Sequence, residues 1–222
     1  LPKLASKLGI DLDPSFISFV KLGGRHVNHM WRLLNDLEMP YLTLLDFDLG
    51  RHEAGIKRLK YAIDELSKLG KSFDYPEEID YEKISNEELD KNQIITVLNK
   101  LQENNVFFSL PLDLDMAMIR NFSEYYKDNA QNADRTALEK AVLGENGEHS
   151  KYTGICSPLS DNELKKYRYL FCSKSKVVSH YTAIEEIMKL SDSDIESKCP
   201  KSIKNLIKRA KTLLYNEGSD VN

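Results

Sequence analysis

Asp46 and Asp48 close an apolar run, Tyr41-Leu42-Thr43-Leu44-Leu45, and stand immediately before Leu49-Gly50-Arg51. The run is short, rich in strand-forming residues and bounded by Pro40 and Gly50, so it reads as a buried strand over 41–46. Side chains alternate along an extended segment, which predicts that both carboxylates point to one side at the strand's end. In an open α/β sheet that edge is where ligands bind. Two aligned carboxylates, read as having no cation near them in sequence, are expected to attract a hard divalent ion such as Mg²⁺. The competing expectation is that both cap the following helix and stay solvated.

Asp113 and Asp115 repeat the arrangement behind a second β-prone run, Val106-Phe107-Phe108-Ser109, and the kink Leu110-Pro111-Leu112. Two strand ends with two acids each would bring up to four carboxylates to one edge of a parallel sheet. Like charges crowded in that way are costly unless cations join them, so the metal expectation rests on the two pairs together. Lys174 and Lys176 lie just ahead of a predicted helix beginning near Val177. A lysine delivered to such a site could stabilise charge on a phosphoryl group; otherwise both are solvated surface lysines. His180 follows Lys176 by one helical turn and either lines the same site or caps its helix. His26 and His29, three apart, read as surface or core-edge residues, since Mg²⁺ prefers oxygen ligands. Lys201, Lys204, Lys208, Arg209 and Lys211 fall near one helix, as a contact for nucleic-acid phosphates or as a charged solvent face. No phosphate-binding glycine loop, dinucleotide fingerprint, nucleophile elbow or H-E-x-x-H pair is present.

Elements that would position these groups are read from periodicity. A helix ends over 3–8 at Gly9, a strand is predicted over 16–20 before Gly23-Gly24, and a helical apolar face spans 28–37. After the 41–46 strand comes an amphipathic helix over 53–69. Residues 70–92 are acidic and polar and predict a loop or irregular helical insertion. A helix over 93–104 leads to the strand at 106–109, and the chain turns helical through Met118. From 134 onward no strand is expected; 134–143, 161–171, 177–190 and 201–215 suit helices, with a polar loop around 144–158. Strand–helix alternation predicts a parallel sheet with right-handed crossovers.

The chain has 222 residues, 41% hydrophobic and 30% charged, with a formal net charge of −4, ordinary values for a soluble globular protein. Cys156, Cys172 and Cys199 lack C-x-x-C spacing, which points to a reducing compartment and away from a disulfide scaffold or zinc knuckle. No apolar run approaches the roughly 20 residues needed to span a bilayer. A cytoplasmic protein is expected. The chain opens Leu1-Pro2 without an initiator Met and reads as a piece of something longer.

Several segments, in order, resemble the C-terminal Toprim region of the overcoming-lysogenization-defect (OLD) family of nucleases. They are Leu-Gly-Ile-Asp-Leu-Asp at 8–13, the approach to Leu22-Gly23-Gly24, Asp46-Phe47-Asp48-Leu49-Gly50-Arg51, Arg58-Leu59-Lys60-Tyr61-Ala62, Phe107 through Asp115, and Tyr167-Arg168-Tyr169-Leu170-Phe171 through Ser175-Lys176 and His180. The resemblance spans roughly residues 1–190 and is most like the class that neighbours a UvrD-type helicase, as in Gabija antiphage systems. It implies an α/β Toprim-like parallel sheet flanked by helices over 1–127, with a helical insertion at about 70–104, and a mainly helical part over 128–222 carrying the lysine motif. It implies a DNA endonuclease or nickase with two Mg²⁺ or Mn²⁺ ions, about 4 Å apart in such sites. Asp46 and Asp48 would be ligands and catalytic acids, Asp113 and Asp115 the second acidic cluster, Ser109 an assistant, and Lys176 the contact to the scissile phosphate, with Lys174 as the fallback. An N-terminal ABC-type ATPase domain, a helicase partner and homo-oligomerisation of the full protein are further implications. The family's first motif, a glutamate on an earlier strand, lies upstream of the helix with which this chain begins, so the isolated chain is expected to carry an incomplete site. A catalytically silent Toprim-like module that binds DNA or a protein partner is the alternative.

Overall fold

A computed structural model describes residues 1–11, 15–22, 27–73, 79–129, 133–147 and 154–216. The architecture is mixed α/β. Strands β1 (Thr43–Asp46) and β2 (Val106–Ser109) pair in parallel, in the register Thr43 with Val106 through Asp46 with Ser109. Both strand ends carrying the acids are therefore brought side by side. Helices α2 (Val27–Asp36), α3 (Ile56–Ser67), α4 (Tyr81–Ser85) and α5 (Lys91–Glu103) accompany one face. Helix α1 (Pro2–Lys7) and the later helices cover the other: α6 (Leu114–Asn121), α7 (Arg135–Leu143), α8 (Asp161–Tyr167), α9 (Lys176–Ile187), α10 (Asp192–Lys198) and α11 (Lys201–Asn216).

The two-residue period of the strands sorts their side chains between two cores. Leu42, Leu44 and Phe107 join the core of the later helices. Tyr41, Leu45, Val106 and Phe108 join the core built on Trp31, Ile56, Leu59, Val97 and Leu101. With both faces covered, β2 is buried at every position, as a parallel strand between helical layers should be. Trp31 donates its indole N–H to Thr43 Oγ1 at 2.8 Å, tying α2 to the first residue of β1. Local signals set several helix starts. Asp90 with Gln93 and Ser160 with Glu163 form reciprocal capping boxes at α5 and α8.

The strand expected over 16–20 is not formed. Phe16 is 96% and Val20 65% exposed, and the sheet among the described residues consists of β1 and β2. An apolar run becomes a strand only where a neighbour accepts its backbone hydrogen bonds, and among the described residues none is paired with it. The helix expected over 161–171 is α-helical to Tyr167 and then widens into a π-helical turn over Arg168–Cys172. Helix α10 has no counterpart among the elements expected from periodicity; Ser191 starts it by accepting from the Asp194 N–H. The acidic stretch after residue 70 contains α4, while residues 74–78 lie outside the described residues, as do Gly23, Gly24 and His26. No helix among the described residues is long and apolar enough to cross a membrane.

Candidate active site at the strand ends

The chain leaves β1 at Asp46 and turns sharply. Asp48 adopts a positive φ of 56°, a left-handed conformation uncommon for residues other than glycine, though least so for Asn and Asp. Backbone hydrogen bonds fix it there: Phe47 N–H donates to Ser109 O, Asp48 N–H to Leu112 O at 2.7 Å, and Leu49 N–H to Pro111 O at 2.9 Å. The loops behind the two strands are thereby laced together, with Phe47 and Leu49 fully buried beneath them. The simple alternation that would have aimed Asp46 and Asp48 the same way stops at Asp46. Asp48 instead turns inward and is only 7% exposed.

Asp48 meets two arginines. Arg51 donates to its Oδ1 at 2.5 Å and Arg58 to its Oδ2 at 3.2 Å. Asp113, also buried, accepts the Met116 N–H on Oδ1 and so caps α6, the role expected as the alternative for Asp46 and Asp48 and found here at the other pair. Its Oδ2 accepts from Tyr167 Oη at 2.5 Å and from both terminal nitrogens of Arg51 at 3.4 Å. Arg51 completes its fork on Tyr167 Oη and the Val142 carbonyl. Burial works against the Arg51 charge, but Tyr167, Asp48 and Asp113 outweigh it and hold the guanidinium ionised. Burial and the Asp113 charge push the Tyr167 hydroxyl well above its ordinary value, so it stays a donor.

The outer member of each pair behaves differently. Asp46 accepts from Ser109 Oγ at 3.1 Å, and Ser109 Oγ also lies 3.1 Å from Leu45 O. Burial of its surroundings and the charges of Asp113 and Asp48, in that order, raise the Asp46 carboxyl, partly offset by Ser109. Because Asp46 itself keeps open surface, solvent screens both effects. Asp115, on the first turn of α6, accepts from Lys176 Nζ at 2.6 Å and pairs with His180 Nε2 at 2.8 Å. Burial pushes its carboxyl up, but those two partners outweigh burial and hold it below the usual carboxylate range. The other ring nitrogen, His180 Nδ1, lies 2.8 Å from Tyr126 Oη, and the imidazole stacks on Phe171 with centroids 4.8 Å apart. His180 thus lines the site. Lys174 points elsewhere, donating to Tyr169 Oη at 2.6 Å.

Asp46, Ser109, Asp113, Asp115 and Lys176 come to one end of the sheet, with Asp48 turned beneath it. Arg51, Arg58 and Tyr167 stand in the segments that carry the family resemblance but have no site role expected of them, and Tyr126 is not singled out at all. Arg51 had a signal: it stands three residues after Asp48, and it is the neighbouring cation that the metal expectation leaves out. Asp46, beside Ser109 and crowded by the other carboxylates, is the one acid of the four without an ion pair among the described residues, and so the one with room for a hard cation. The arrangement does not fit two. Every oxygen of Asp48, Asp113 and Asp115 already has a donor from the protein, and no group of three or more His, Cys, Asp or Glu among the described residues is arranged to hold an ion. The remaining lysines and Arg209 of α11 lie away from these acids; Arg209 donates to Asn105 and Lys211 to the Leu8 carbonyl.

Fold and site together define an α/β domain with an acidic strand-end edge and a lysine anchored on it. Residues 1–48 match the family model described as "Overcoming lysogenization defect protein-like, TOPRIM domain". The matched stretch runs from α1 through β1 and includes Asp46 and Asp48, while Asp113, Asp115, Lys176 and His180 lie beyond it. Neither a curated protein nor a solved structure matches the chain.

Proposed function

We propose that this chain is the Toprim part of a metal-dependent nuclease that hydrolyses DNA phosphodiester bonds. The observation that carries this reading is the meeting of both Asp-x-Asp segments at one end of a parallel sheet, with Lys176 held on Asp115. A divalent ion bound at Asp46 would polarise a phosphate oxygen and lower the pKa of an attacking water. The chain's own groups do the rest. Asp115 aims Lys176 at the site, and His180, backed by Tyr126, fixes the Asp115 carboxylate so that the ammonium is presented in one orientation. That ammonium is half-exposed, so an incoming phosphate can exchange for Asp115 and have its developing charge stabilised. The resemblance adds the setting: an ATPase–nuclease in antiphage defence, with a UvrD-like helicase as a partner.

Plasmid cleavage with Mg²⁺ or Mn²⁺ tests this, comparing the chain with a form extended upstream. The expected result is cleavage by the extended form that Lys176→Ala lowers by about 10²–10³ while DNA binding persists; cleavage by Lys176→Ala at the wild-type rate sinks the assignment. The saturation of Asp48 and Asp113 by protein donors favours a second reading, a silent DNA-binding module. DNA binding without cleavage by either form would select it.

A further inference from the structure

The strand-end site contains a cation of its own. Arg51 starts from the loop after β1 and reaches the cap of α6, the hydroxyl of Tyr167 on α8 and the last turn of α7. Its side-chain acceptors are themselves buried: Asp48 at 7%, Asp113 at 6% and Tyr167 at 3% exposed. Withdrawing the guanidinium would leave Asp113 with no ion pair and Asp48 with Arg58 alone, both buried in the seam between the two cores. Arg58 differs, with one bond to Asp48 and a more exposed side chain. Arg51 is therefore the more firmly fixed of the two.

We propose that Arg51 is a resident counter-ion that permanently takes the place of one of two cations between Asp48 and Asp113, so that the acid cluster binds a single divalent ion, at Asp46. This rests on the nuclease reading only for the expectation that a divalent ion binds at all. Charge supports it. Asp48 is neutralised by Arg51 and Arg58, Asp113 shares Arg51, Asp115 has Lys176, and Asp46 alone among the four has no ion pair among the described residues. Coordination supports it too, because a second ion drawn to Asp48 or Asp113 must expel a guanidinium already seated in forked contacts. A guanidinium is suited to this, being always charged and planar with a fixed set of donors. In this arrangement Asp48 and Asp113 are positioning residues and the ion-binding acid is Asp46.

The test is to titrate Mn²⁺ into the 222-residue chain and count bound ions by equilibrium dialysis, with electron paramagnetic resonance to detect coupling between them. The wild-type chain is expected to bind one uncoupled Mn²⁺, Asp46→Asn to bind it at least tenfold more weakly, and Arg51→Lys to retain one. Arg51→Gln, if circular dichroism shows it folded, is expected to take up a second, spin-coupled ion. Two coupled ions in the wild-type chain overturn the proposal, as does no bound ion, or a folded Arg51→Gln chain that stops at one. Should Arg51→Gln not fold, Arg51→Met, of similar reach and uncharged, is counted against the same outcomes. Cleavage is scored separately: a chain that cuts DNA with two coupled ions loses the counter-ion and keeps the nuclease, whereas one bound ion without cleavage does the reverse.

Discussion

The two Asp-x-Asp segments look alike in sequence and are used alike in the fold, yet each divides its acids between opposite tasks. In each pair one aspartate is sealed into the seam between the cores, Asp48 by a left-handed turn and Asp113 by capping α6. The other stays at the edge, Asp46 beside Ser109 and Asp115 under Lys176 and His180. The order is mirrored: the first aspartate is outermost in one pair and innermost in the other. The difference comes from the segment after each strand. Beyond β1 a loop carries Arg51 back over the acids; beyond β2 a kink runs straight into a helix whose N-terminus needs a cap. Identical spacing therefore says little about which carboxylate is available; the segment that follows each strand, and what it packs against, decide it.

Breaking the inner pair should give the largest effect. Arg51→Ala leaves Asp48 and Asp113 buried with much of their compensation gone, and removing one partner of a buried charge pair typically costs about 3–5 kcal/mol. Urea unfolding monitored by circular dichroism should show a loss of that size, or no cooperative transition. Asp113→Ala should fall close behind, since it removes the α6 cap as well. A loss below about 1 kcal/mol for Arg51→Ala would mean that the seam is not built around this charge.

Removing Lys176 should reverse the pattern. Its ammonium is half-exposed, so stability should move by no more than about 0.5 kcal/mol. DNA cleavage by an active form should drop by about 10²–10³, the scale for losing one charge-stabilising donor in a reacting site. Tyr126→Phe lies between the two. Deleting the hydroxyl that meets His180 Nδ1 costs roughly 1 kcal/mol, and loosening of His180 should lower the turnover rate while leaving DNA affinity unchanged. If affinity falls instead and turnover holds, Tyr126 supports the fold around the site and does not orient Lys176 through His180 and Asp115.

Much of this fold was legible because its signals are local. The strand at 106–109 is found at the predicted residues, and the helices at 27–36, 56–67, 91–103 and 135–143 follow their apolar periods and caps. What was not legible depends on partners far along the chain. The run at 16–20 has strand-forming residues but no described neighbour to pair with, and α10 is a short, polar helix seated by the burial of Ile195. The same division holds in the site. The meeting of the two acid pairs followed from strand parallelism, but the turn at Asp48 is imposed by bonds to Pro111 and Leu112. The roles of Tyr126 and Tyr167 likewise depend on α8 and α9 folding back over α6, which no spacing announces.

The smallest effects separate the two outer acids, and they carry opposite signs. Asp46 has its proton affinity raised by its crowded surroundings and the neighbouring carboxylates, so the folded state holds that proton more tightly than the unfolded chain does. In metal-free buffer, stability should therefore rise slightly as pH falls through the folded Asp46 value toward the unfolded one near 3.9. Asp115 is held below the usual range despite its burial, by His180 and Lys176. Its stabilising contribution is present above the unfolded value and is lost as pH falls through the lower folded one. Asp46→Asn should abolish the small gain on mild acidification and, by removing one of the crowded charges, leave the protein at neutral pH at least as stable as wild type. Asp115→Asn should instead lower stability at neutral pH and flatten the acid limb. A pH series of urea midpoints for the two variants checks both; destabilisation by Asp46→Asn at neutral pH would place Asp46 among the acids that hold the fold, alongside Asp48 and Asp113.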